Sequence, residues 1–174
     1  MDFFEVINKR RSIRKFTDKP VEKDKIEAII DAAMRAPSAR NARSSEFVVV
    51  SDRQMLSQLS VAKPGGAAFI KDAALAIVVF ANQEKSHLAI KNAAISAVYI
   101  QLAAQALGLG SCWSHMRGNA HNEQKSTNEY LADLLNIPEH LEVLSIIAIG
   151  YPDEEKAPYR GDELPADAVH WGKY

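Results

Sequence analysis

A chain of 174 residues, 47% hydrophobic and 25% charged, has the make-up of an ordinary globular protein and the length for one domain with a real core. Its formal net charge of -1 and pI near 6.5 argue against a surface built throughout for nucleic acid, so any basic cluster is local. The lone Cys112 excludes an intrachain disulfide, a thiolate-rich metal site and a CxxC redox pair, and a reducing compartment fits it best.

In chain order, Asp2 to Asn8 reads as a short helix. The first residues carry acids and no apolar run, unlike a secretory signal, so a cytoplasmic location is expected. Next comes Lys9-Arg10-Arg11-Ser12-Ile13-Arg14-Lys15-Phe16, three arginines interrupted by one hydroxyl and one apolar residue. Guanidinium forks match phosphate oxygens, and a serine hydroxyl with nearby backbone N–H groups can complete the cradle. Taken alone, the octet reads first as a solvated basic patch or a nucleic-acid contact.

Val21 to Arg35 predicts a longer helix, with Ile26, Ile29, Ile30 and Ala33 at helical spacing behind Glu22 and Asp24, and Ala36-Pro37 ends it. The small and amide residues of Ala36-Pro37-Ser38-Ala39-Arg40-Asn41-Ala42-Arg43 can bring N–H groups, the Ser38 hydroxyl and the Asn41 amide close to a flat polar ligand, or simply connect helix to strand. Phe47 to Val50, Leu75 to Phe80 and Glu142 to Ile149 are apolar, β-branched runs that predict buried strands alternating with helices. Between the first two, Lys63-Pro64-Gly65-Gly66 has its lysine before the glycines and no Ser or Thr after them, so it is no NTPase phosphate loop. It is either a flexible surface turn or the border of a substrate pocket.

Ala89 to Leu107 is the long central helix, stopped by Gly108 and Gly110. The uncharged stretch Asn92 to Leu109 is long enough to raise the membrane question, but Asn92, Ser96, Gln101 and Gln105 among many alanines make it a buried protein helix. Ser111 to Ser114 forms a fourth short strand or an extended loop, and Asn128 to Leu135 a further helix. From Tyr151 the chain is rich in Pro, Gly and charge, with Tyr159, Trp171 and Tyr174 scattered through it. It reads as an irregular arm that docks on a partner subunit, at the end of a single domain spanning 1–174. The five histidines fall at no metal-ligand spacing, Cys112 reads as a buried inert thiol, and Asp153-Glu154-Glu155 and Asp162-Glu163 as solvated charge.

Together these stretches resemble the FMN-dependent nitroreductase family. Its Arg-Arg-Ser-x-Arg-x-Phe run is matched by Arg10, Arg11, Ser12, Arg14 and Phe16, and its Ala-Pro-Ser-x-x-Asn pattern by Ala36, Pro37, Ser38 and Asn41. Gly108-Leu109-Gly110-Ser111-Cys112-Trp113, Ile149-Gly150-Tyr151-Pro152 and the Arg160 to Trp171 tail follow in the family's order, so the resemblance covers nearly the whole chain.

The resemblance implies an α+β fold, a mixed sheet of about four or five strands flanked by helices, with the long helix in the core and at the interface of a homodimer. It implies two FMN across that interface, NADH or NADPH as donor, and nitroaromatic, quinone or similar electron-poor acceptors in a ping-pong cycle. Other flavin reductions and a non-catalytic flavin-binding or redox-sensing protein are the alternatives. Arg10 and Ser12, with Arg160, are expected at the FMN phosphate, and Arg14 at the pyrimidine edge of the ring, where it tunes the flavin. Arg11 acts through its backbone or as a salt-bridge partner. Pro37, Ser38 and Asn41 reach the flavin from the other subunit, and Trp113, Ser114 and His115 line its far side. No side chain need act as acid, base or nucleophile, and no metal is implied. Loops around Val61 to Phe69 and Gly118 to Thr127 choose the acceptor. The match breaks at Arg43-Ser44-Ser45, where the family usually has Gln-Pro-Trp; Arg43 either takes over the glutamine's contact with the ring edge or turns to solvent.

Overall fold

The aliphatic runs build the sheet. In the computed structural model, which describes residues 1–174, Ser45–Val50 (β1), Leu75–Asn82 (β2), Gly110–His115 (β3) and Leu141–Gly150 (β4) form one sheet in the order β1-β2-β4-β3. The expected mixed sheet of four or five strands thus has four, and every ladder between them is antiparallel. Its parallel component is the isolated bridge between Ser12 and Ser111, which lays the basic octet alongside β3.

Strand β2 is buried from end to end, and its two-residue period divides the core. Ala76, Val78 and Phe80 point to one face, where they meet Leu56, Leu59, Ile70, Met116 and Leu131. Leu75, Ile77, Val79 and Ala81 point to the other, against Ile29, Ala33, Ala93, Ala97, Ile100 and Ala104. Each large aliphatic side chain fully withdrawn from water here contributes about 1.5–3 kcal/mol.

Helices cover both faces. Lys23–Met34 (α2) and Ala89–Ala106 (α4) pack on the second face, Arg53–Ser60 (α3) and Thr127–Leu135 (α5) on the first, and Phe3–Lys9 (α1) lies against α4. Alanines at 89, 93, 97 and 104 form the buried stripe of α4, which lets the helix approach the sheet closely. Asp2, Asp52 and Ser126 cap α1, α3 and α5 through their side chains, and Ser126 with Glu129 forms a full capping box. No helix is long and apolar enough to cross a membrane.

Helix α3 has no counterpart among the expected elements. It is short, and Met55, Leu56 and Leu59 are its only strongly apolar residues. The expected arm divides: Tyr151, Glu154 and Lys156 are half-buried on their own subunit, whereas every residue from Ala157 to Tyr174 is exposed.

Candidate functional site

The octet leaves α1 at Arg10, whose extended backbone ends the helix, and runs outside β3. Three main-chain bonds fasten it: Ile13 N–H to the Ser111 carbonyl (3.0 Å), Thr17 N–H to Tyr151 (2.9 Å) and Asp153 N–H to Lys15 (2.9 Å). Side chains 11 and 13 turn toward the end of α4. Ile13 lies so close to Gly110 that a Cβ there would stand 2.8 Å from its Cγ2, and Arg11 and Ile13 share a cleft with Gln105 and Gly108–Gly110. Arg11 donates to the Ala157 carbonyl and its guanidinium lies 4.0 Å over the Tyr159 ring. Its partners are a carbonyl and an aromatic face at the start of the arm.

Ser12 and Arg14 face the opposite way, toward Cys112. Burial pushes the Cys112 thiol above its usual range, while the Arg14 and Lys156 charges and the Ser12 hydroxyl pull it down. The Arg14 guanidinium lies 5.8 Å from the centre of the Phe69 ring. In an extended segment, residues two apart stand about 6.5–7 Å apart on one face, so Arg10, Ser12 and Arg14 make a row of donors. Neither Arg10 nor Arg14 pairs with a carboxylate.

The carboxylate nearest this row is already occupied. Glu154 accepts the N–H groups of Arg14 (2.5 Å) and Lys15 (3.2 Å) and lies 3.5 Å from Lys156, whose ammonium donates to the Ser12 carbonyl at 2.5 Å. The Arg14 N–H holds the Glu154 carboxyl below the usual carboxylate range. Glu154 was expected to be solvated; it instead fixes the backbone behind the donors. Nothing in the local sequence marks it, because its partners are main-chain groups 140 residues away.

Trp113, Ser114 and His115 end β3 beside this row. Trp113 is half-buried over the α2–α4 face and its ring lies 6.5 Å from that of His115, nearly parallel. The buried Ser114 hydroxyl donates to the Gly66 carbonyl (2.9 Å), and Lys63 donates to the His115 carbonyl (2.7 Å). The Lys63–Gly66 turn is thus tied to β3. The two stretches expected to choose the acceptor also meet, because the Ala62 carbonyl accepts the Thr127 hydroxyl (3.3 Å) and faces His121 Nδ1 at 3.2 Å. Arg160 lies apart from the row, paired with Asp162 (3.1 Å) and Glu163 (4.0 Å) of its own turn.

Pro37, Ser38, Asn41 and Arg43 sit elsewhere, packed on the first half of α4. Arg40, Asn41 and Arg43 have φ of 54°, 53° and 44°, the left-handed region that side chains other than glycine rarely enter. The Ser38 hydroxyl accepts the Arg43 N–H (3.0 Å), and the Arg43 Nε donates to Asn41 Oδ1 (3.2 Å), so Arg43 curls back on its own loop. A cleft of about 230 Å³ borders Ser38 and Arg43, with Met34 and Phe47 on its walls. This loop touches α4 near Asn92 and the octet lies by Gln105, thirteen residues and about 20 Å along the helix. No hydrogen bond or ion pair joins the two groups.

A concavity of about 700 Å³ opens at the other end of β4 among Glu84, Glu139 and Glu142. Its charge disfavours an anion.

Comparison with known proteins bears on this arrangement. The sequence profile of the nitroreductase family matches residues 7–62 and 52–151. A protein of Archaeoglobus fulgidus, provisionally named NADH dehydrogenase/NAD(P)H nitroreductase, is 37% identical over 97% of this chain and 97% of its own length. The oxygen-insensitive NADPH nitroreductase of Salmonella typhimurium is 30% identical over 98% of this chain and 73% of its own. Among solved structures, an FMN-dependent nitroreductase from Clostridium difficile R20291 superposes with a TM-score of 0.96 at 42% identity, covering 98% of this chain and 99% of that one. The match runs through the octet, the left-handed loop and the strands that carry them, and the chain belongs to the nitroreductase family.

Proposed function

We propose that this chain is an FMN-dependent oxidoreductase that draws on NADH or NADPH and works as a homodimer in the cytoplasm, with Arg10, Ser12 and Arg14 as the core of its flavin site. The row of Arg10, Ser12 and Arg14 on one face of an extended segment, its two guanidiniums without a carboxylate partner, carries this reading. FMN fits the donor set, having an anionic phosphate at one end and an electron-accepting ring at the other. When bound, FMN supplies acceptance of a hydride from NAD(P)H and its onward delivery, in two half-reactions at one site, to nitroaromatic, quinone or similar electron-poor acceptors.

The chain's own residues bind and tune. Arg10 and Ser12 hold the phosphate through charge-assisted and neutral hydrogen bonds, the former worth about 1.5–3 kcal/mol. Arg14 brings positive charge to the pyrimidine edge, where negative charge gathers on reduction. Glu154 and Lys156 keep the octet backbone in place from behind. Trp113, Ser114 and His115 wall the ring, and Arg160 joins the phosphate by exchanging its Asp162 pairing for it.

Two observations favour the dimer. Ile95, Val98 and Tyr99 on α4 and Phe3, Phe4 and Ile7 on α1 are exposed apolar side chains, and the arm after Ala157 leaves Trp171 92% exposed. The loop with Pro37, Ser38, Asn41 and Arg43 stands about 20 Å along α4 from the octet, so a second copy is what brings both to one ligand.

The test is the visible spectrum of the purified protein, followed by release and identification of the chromophore. FMN at about one per subunit, with NAD(P)H oxidation driven by a quinone, is the expected result. Colourless protein that takes up no added FMN overturns the reading.

A further inference from the structure

Asn92 is the only side chain of α4 that hydrogen-bonds the loop between Ala36 and Ser44, and it does so at both ends. Its Oδ1 accepts the Ala39 N–H at 3.0 Å, and its Nδ2 donates to the Ser44 hydroxyl at 2.8 Å. The amide is 2% exposed and Ser44 is fully buried, so neither bond is exchanged for water at low cost. Between the two anchors lie Arg40, Asn41 and Arg43, all in the left-handed region. Backbone of that kind persists only where its surroundings over-determine it, and it gathers at ligand sites. The Ser44 carbonyl also accepts the Asn82 N–H at 2.7 Å, which ties the far end of the loop to β2.

We propose that Asn92 is a positioning residue for the cofactor: it clamps the loop from Ala39 to Ser44 in the left-handed conformation that presents Ser38 and Asn41 to the flavin. The inference rests on the reading of that loop as a flavin contact given above. Asn92 itself touches no ligand. It acts through main-chain geometry, and it places that geometry on the helix that also carries the exposed Ile95, Val98 and Tyr99.

The experiment compares wild type, Asn92→Ala and Ser96→Ala as full-length proteins. Ser96→Ala removes the bond from α4 to the Ser45 hydroxyl (2.9 Å), one turn further along, and leaves the loop clamp intact. Three quantities are read: amide hydrogen exchange at residues 39–44, FMN affinity by fluorescence titration, and the visible circular dichroism of bound FMN. Asn92→Ala is expected to speed exchange at Ala39 and the left-handed residues, weaken FMN about tenfold and alter the dichroism band, which a residue that only adds stability does not move. Ser96→Ala is expected to keep wild-type affinity and dichroism. Faster exchange in Asn92→Ala with unchanged affinity and dichroism overturns the inference alone, as does unchanged exchange. Wild-type protein that takes up no FMN overturns the reading of the site, and this inference falls with it.

Discussion

The octet and the Ala36–Ser44 loop present donors in opposite ways. The octet is regular backbone with unusual side chains: an extended segment, pinned to β3 and Glu154, that aims Arg10, Ser12 and Arg14 along one face. The loop is unusual backbone with ordinary side chains, three left-handed residues held by Asn92 and Ser38. In the first, function lies in residue identity; in the second, it lies in a conformation that other residues must enforce.

The largest test of that contrast is Gly110→Val. A branched side chain at a position where even a Cβ meets Ile13 at 2.8 Å forces the whole octet outward. Overpacking of this kind costs about 1–3 kcal/mol. Lower stability in thermal unfolding together with loss of FMN retention is expected, because every donor in the row shifts at once.

Arg10→Ala removes one donor and leaves the row in place. FMN affinity is expected to fall tenfold or more, on the scale of a charge-assisted bond worth about 1.5–3 kcal/mol, with stability unchanged. Arg14→Ala is expected to retain FMN and slow its reduction by NAD(P)H in stopped-flow measurements. Equal loss of FMN in the two variants would break the division of labour along the row.

Acid sharpens the same comparison. The Glu154 carboxyl has a folded-state pKa held below its unfolded value of about 4.3, so its contribution is fully present above that value and is lost as pH falls through the lower one. In pH-dependent unfolding, Glu154→Gln is expected to remove that part of the acid limb, and the protection of the Arg14 and Lys15 amides, relative to their intrinsic exchange, is expected to lose its dependence on low pH. The loop has no such carboxylate and is expected to show none.

The smallest effect has the opposite sign. Arg40→Gly places glycine at φ 54°, where a Cβ is costly. Relief of a left-handed conformation is worth up to about 1 kcal/mol after the added freedom of the unfolded chain is counted, so a slight rise in melting temperature is expected.

This contrast also marks what was legible in the sequence. The strands and the long helices show in their periodicity: Leu75–Asn82 carries alternate residues to two cores, and the buried residues 89, 93, 97, 100 and 104 of α4 recur every three or four positions. Arg10, Ser12 and Arg14 stood out as candidates through the motif they share with the family, since the octet alone also reads as a solvated basic patch. Glu154, Lys156 and Asn92 did not, because each acts on main-chain or hydroxyl groups far away in the chain, and only folding brings those partners together. Asp52 and the Leu56, Leu59 pair were a usable sign of α3, since an aspartate cap before apolar residues three apart is a helix start. Arg11, matched within the same motif as its neighbours, is separated from them only by the alternation of an extended segment.

Strand β3 ends the sheet, and the main-chain groups on its open side are what another chain would seek. The octet covers them with a short stretch bearing five positive side chains, Lys9, Arg10, Arg11, Arg14 and Lys15, and bridges β3 itself only at Ser12. Such a cover discourages the addition of a further strand by repulsion between like charges, as well as by occupying the place. On the reading proposed above, the segment that holds the flavin phosphate thereby also guards the sheet edge against a further strand. Variants that loosen the octet should accordingly form larger assemblies on light scattering before they unfold.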